Sequence, residues 1–127
     1  MTKKNMFRIG AVLMVCVMLL SSFSFAATET HAGTNGYVTF ACSAGLTSSS
    51  ASTSSTNGAN YCTVTLSAYY AWITDGSGTP LYEGPSSDYK YGDGAAVAQC
   101  SYALAVSAEA YSSHSAPGCS GSLSDRF

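Results

Sequence analysis

The chain has 127 residues, of which 46% are apolar, 12% aromatic and only 9% charged, with a formal net charge of −2. Lys3, Lys4 and Arg8 lie at the N-terminus, so residues 27–127 carry Lys90 and Arg126 against seven acids, two minus seven or −5. A domain so poor in Lys and Arg cannot neutralise phosphates, which argues against nucleic acid and anionic membranes as partners.

The first 26 residues read as a signal peptide. A basic n-region is followed by the apolar run 9–20, then by small residues at Ser24 and Ala26 that suit cleavage after Ala26. The run is short for a membrane span, which needs ~20 apolar residues, and no basic stop-transfer flank follows it. Cys16 belongs to that run; the large Met14 and Val15 before it do not suit a lipoprotein site. The mature chain 27–127 is then one small secreted domain, touching membrane only through the leader before cleavage.

Residues 27–35 are polar and expected to be loose. Residues 36–43 alternate, with Val38, Phe40 and Cys42 on one parity, and predict a first strand. Residues 47–58 are almost wholly Ser and Thr and close on Asn57-Gly58. With nothing large to bury, they are expected to form a mobile Ser/Thr-rich loop.

Residues 61–73 make the clearest strand. Cys62, Val64, Leu66, Ala68, Tyr70 and Trp72 share one parity, and Tyr61, Thr63, Thr65, Ser67, Tyr69, Ala71 and Ile73 the other. The first set predicts a core face that buries Trp72 as a structural residue. Asp75-Gly76-Ser77-Gly78, Gly84-Pro85-Ser86-Ser87 and Asp93-Gly94 read as turns, with short strands at 79–83 and 88–91. Residues 95–111 are rich in Ala, which favours helix. The parity of Cys100, Tyr102, Leu104 and Val106 against Gln99, Ser101, Ser107 and Glu109 is cleaner at period two, so strand is expected. Residues 112–124 read as a loop pinned by Cys119.

Four cysteines remain after the leader: Cys42, Cys62, Cys100 and Cys119. An even number in an exported small domain predicts two disulfides. Matched parity on either side of the Ser-rich loop favours Cys42–Cys62, leaving Cys100–Cys119; Cys62–Cys100 is the alternative. No C-x-x-C pair or histidine spacing suggests a metal.

Catalytic signals are thin. Ser112-Ser113-His114-Ser115 puts serine beside histidine in sequence, which is not a triad, and an exposed loop histidine is expected. No G-x-S-x-G, H-E-x-x-H or phosphate-binding glycine loop occurs, and no cofactor is implied. The run from Asp75 fails as a calcium loop because Pro80 and Ser86 stand at the Gly and Glu positions. A weaker site of Asp75, Asp88 and Asp93 is the remaining metal candidate. Tyrosine is the richest signal: Tyr69, Tyr82, Tyr89, Tyr91 and Tyr111 are candidates for an exposed platform that stacks on sugar rings.

These readings predict an all-β domain, an antiparallel meander or two-layer sandwich stapled by disulfides. Its expected role is that of a non-catalytic extracellular interaction module for a glycan or a protein. A secreted antimicrobial or toxin-like protein is the alternative, against which the acidity counts. A small hydrolase comes third.

Overall fold

The computed structural model describes residues 26–72 and 76–127. The leader reading up to residue 25, Cys16, Ile73 and Asp75 all lie outside the described residues. Eight strands form: β1 (Ala27–Gly33), β2 (Gly36–Ala44), β3 (Ser48–Ser55), β4 (Tyr61–Ala71), β5 (Glu83–Asp93), β6 (Ala95–Ser101), β7 (Ser107–Ala116) and β8 (Cys119–Arg126). They make two antiparallel four-stranded sheets, sheet A in the order β1-β2-β3-β6 and sheet B in the order β5-β4-β7-β8. The inner faces meet in a core of Val38, Phe40, Val64, Leu66 and many alanines and cysteines. The all-β expectation holds, and the architecture is the two-layer form.

Sheet A overturns the reading of residues 47–58 as a loop. Ser48–Ser55 is a central strand, paired with β2 on one side and β6 on the other. Its period-two pattern is carried by small residues: Ser49, Ala51 and Thr53 point inward and are buried. The buried hydroxyls are satisfied. Ser49 Oγ lies 3.0 Å from the Tyr102 hydroxyl, and Thr53 Oγ1 donates to the Thr63 carbonyl at 2.8 Å. Outward, Ser50 Oγ pairs with Ser43 Oγ at 3.0 Å across the ladder. Backbone pairing on both sides thus orders a segment that buries little apolar area.

The same strand separates the cysteines expected to pair. Cys42 lies in sheet A and Cys62 in sheet B, and β3, not β4, is the hairpin partner of β2. All four described cysteines are thiols, and none stands at disulfide distance. Cys62 Sγ donates to the Asn60 carbonyl at 3.6 Å and Cys100 Sγ to the Ser86 carbonyl at 3.3 Å. Burial pushes the thiols of Cys42, Cys62 and Cys100 above their ordinary pKa, so they pack as small apolar groups rather than as nucleophiles.

Other boundaries also move. Residues 27–33 are ordered as edge strand β1, and Glu29 bonds His31 along it at 3.0 Å. Residues 95–111 are strand at both ends, but the chain leaves sheet A after Ser101 and enters sheet B at Ser107. Residues 112–124 form most of the β7–β8 hairpin rather than a loop. Its turn needs glycine: Gly118 has φ +84°, and a Cβ there would lie 2.3 Å from Thr34 Oγ1. Residues 84–87 continue β5, and 79–83 provide only an isolated bridge at Pro80 before that strand.

Trp72 is the sharpest reversal. A bulge in the β4–β5 ladder between Ala68 and Tyr70 shifts the pattern by one residue. Ala71 takes the buried position, and Trp72 is 41% exposed, stacked on Tyr70 at 5.1 Å.

Candidate functional site

His114 is not an exposed loop residue. It lies on β7, 3% exposed, with its ring stacked on Phe40 at 4.8 Å. Ser112 Oγ is 2.7 Å from Nε2, and Thr53 Oγ1 is 2.9 Å from Nδ1. Thr53 has one proton and gives it to the Thr63 carbonyl, so its oxygen accepts from an Nδ1–H. Nε2 is then the acceptor, and the Ser112 hydroxyl donates to it. Burial lowers the His114 pKa, against the opposing pull of the Ser52 backbone and the Glu29 carboxylate. This is a neutral, hydrogen-bonded core group. Its orienting partner is a threonine, and Ser112 and His114 are both buried.

The acidic candidates do not converge. Among the described residues no group of three or more His, Cys, Asp or Glu could hold a metal ion. Asp88 and Asp93 stand five residues apart on β5, an odd interval that places them on opposite faces. Asp88 Oδ2 instead accepts the Gln99 amide of β6 at 3.0 Å, while Oδ1 accepts from Lys90 at 3.1 Å. The Gln99 amide, then Lys90, holds its carboxyl below the ordinary range. At the opposite edge Asp125 accepts the Ala44 amide at 2.9 Å. Both carboxylates tie an edge strand of sheet B to backbone of sheet A.

The tyrosines do converge. The outward parity of sheet B carries Tyr89 and Tyr91 on β5, Tyr69 on β4 and Tyr111 on β7, four of the five expected platform residues. Tyr61 of β4 joins them, its ring 5.8 Å from that of Tyr91, which lies 6.0 Å from Tyr89. Tyr69 and Tyr111 meet edge to face at 5.9 Å towards the other end of the sheet. Tyr82 stands apart, ahead of β5, with its hydroxyl 2.8 Å from Ser107 Oγ. Tyr61 was legible in the sequence, since it shares the outward parity of Thr63, Thr65, Ser67 and Tyr69.

Beside these clusters, across β4, β7 and β8, the face is hydroxylated. Thr65, Ser67, Ser113, Ser122 and Ser124 line a depression of about 420 Å³ together with Tyr111, Ser112 and Leu123. A rise of ~3.3 Å per residue along β4 puts the rows of Tyr91 and Tyr69 roughly 20 Å apart. The Tyr111 hydroxyl donates to Glu109 at 3.1 Å, and this bond, first, raises its pKa. Desolvation and the neighbouring Tyr89, Tyr91 and Asp93 raise that of Tyr61. Both phenols therefore remain protonated donors at neutral pH. Tyr61, Tyr89, Tyr91 and Tyr111 are each at least 45% exposed, so these rings offer area without leaving the core. No protein-family model, curated protein or solved structure matches this chain.

Proposed function

We propose that the chain is an exported, non-catalytic module that binds neutral glycan chains on the outer face of sheet B. The observation that carries this reading is the placement of two tyrosine clusters on one sheet face, in and beside rows of serine and threonine hydroxyls. Aromatic faces take the apolar faces of sugar rings, and hydroxyls exchange hydrogen bonds with the ring edges. The charge balance favours uncharged sugars: the only base on this face among the described residues, Arg126, lies 4.0 Å from Glu109, and the domain is acidic. An extended surface, with aromatic rows roughly 20 Å apart, suits a linear sugar chain better than a branched head group.

Cellohexaose and chitohexaose are suitable probes, read by isothermal titration calorimetry. Replacing Tyr89 and Tyr91 together by Ala is expected to weaken binding at least about tenfold, as loss of exposed anchor residues does at binding surfaces. The melting temperature should stay within a few degrees of the parent, because both rings are exposed. Failure of the parent to bind either sugar, with capture of a protein by the same face, would replace a glycan ligand with a protein one.

A further inference from the structure

The two ends of the sandwich differ in chemistry. At one end the connections run through Thr34, Asn35, Asn57, Asn60, Gly94 and Pro117, and are polar. At the other, three connections converge. The Tyr102 and Ala105 amides donate to the carbonyls of Thr47 and Leu46 at 2.9 and 2.7 Å, and the Val106 amide to that of Ala71 at 2.7 Å. These bonds bind the β2–β3 connection, the β6–β7 connection and the end of β4 into one tip, backed by the stack of Tyr102 on Tyr70 and Tyr70 on Trp72. Its outward side chains are Leu104 (68% exposed), Val106 (58%), Leu81 (47%), Tyr82 (43%), Trp72 (41%) and Leu46 (37%). Clustered large apolar side chains at loop tips are a poor bargain for a domain in water alone.

The path of the chain points to the occupant. β1 begins at Ala27, opposite Cys42 near the end of β2, so the chain enters the domain at this same apolar end. The sequence ahead of it contains the apolar run 9–20. We infer that the tip formed by Leu46, Trp72, Leu81, Tyr82, Leu104 and Val106 seats in the interfacial layer of an uncharged lipid bilayer. Tryptophan and tyrosine suit the headgroup level, and the leucines and valine the acyl boundary. None of the six carries a charge. The acidity of the domain disfavours anionic lipid and favours phosphatidylcholine-like surfaces.

Trp72 is the only tryptophan in the sequence and reports directly on the tip. The exported protein, in whichever N-terminal form it is recovered, is mixed with phosphatidylcholine vesicles with and without brominated acyl chains. The expected result is a blue shift of Trp72 emission and quenching by the brominated lipid. Leu104→Glu with Val106→Glu should raise the lipid concentration for half-maximal quenching at least tenfold. These positions are exposed, so folding should not change, and an unchanged melting temperature checks that. Replacing Tyr89 and Tyr91 should leave quenching as in the parent, which separates this surface from the proposed sugar face. Binding to vesicles without quenching of Trp72 would overturn the inference, as would quenching that survives both glutamates. A blue shift that follows protein concentration without lipid, with dimers in sedimentation, would assign the tip to a second copy of this chain instead.

Discussion

Phe40→Ala is expected to cost about 3–5 kcal/mol, the range for deleting a large aromatic from a packed interior. Phe40 is fully buried and is the largest such side chain described. Its ring stacks on His114, and its opposite contacts leave no slack: a Cβ added to Gly121 of β8 would lie 3.0 Å from Phe40 Cε2. Around it the core is mainly Ala, Cys, Ser and Thr, which are too small to move into the space. The cavity would therefore persist. Domains of this size are stable by only ~5–15 kcal/mol in total, so the melting temperature should fall by well over about 10 °C. Circular dichroism during heating reads this; a shift of only a degree or two would mean that β2 and β8 do not enclose the ring.

Thr53→Val should produce the second largest loss. The valine keeps the shape and removes the oxygen that both donates to the Thr63 carbonyl and accepts from His114 Nδ1. Each stranded buried group costs about 1–3 kcal/mol. His114→Leu should be milder, although it removes the larger polar group. Thr53 keeps its carbonyl partner, and Ser112 Oγ can turn to the Leu123 carbonyl at 3.4 Å. The two variants also part in their dependence on pH. The pKa of His114 is lower folded than unfolded, so the unfolded chain binds the extra proton first. Stability from this group is complete above the ordinary histidine pKa near 6.5 and is lost as pH falls from there through the lowered folded value. Chemical denaturation at pH 7.5 and pH 5.5 should show the parent weakening and His114→Leu weakening less. Equal loss in both would remove His114 as the cause. Glu29, which faces the imidazole from β1, acts in the opposite direction and limits the drop.

How far the sequence revealed this molecule depended on side-chain size. Where alternation was carried by large residues, as at Val38, Phe40 and Cys42 or at Val64, Leu66 and Ala68, strand and face were both legible. Where it was carried by Ser, Ala and Thr, as at residues 49–53, the same period was present but composition masked it. Hydroxyl groups that pair across a ladder do not need apolar area to become ordered, and that is why β3 reads as a loop. The misplaced disulfides followed from that one strand: with β3 taken for a loop, β2 and β4 seemed to be neighbours. Trp72 was misread for a different reason. One bulge inverts the faces of everything after it, and nothing in the run 61–73 marks its position. The tyrosine face was largely legible, since parity alone placed Tyr61 and Tyr69 outward. Which strands flank β4, and hence that Tyr89, Tyr91 and Tyr111 join them, depended on pairing between distant segments that no local pattern encodes.

The binding face of sheet B is tested most directly by titrating the ¹⁵N-labelled domain with cellohexaose or chitohexaose and following amide shifts. The expected outcome is a continuous set of perturbed amides on β5, β4 and β7, around Tyr61, Tyr69, Tyr89, Tyr91 and Tyr111 and across Thr65, Ser67 and Ser113. Sheet A and the tip at Leu104 should remain unperturbed. Shifts confined to sheet A or to that tip, or no shift at millimolar sugar, would contradict the assignment of sheet B as a glycan-binding face.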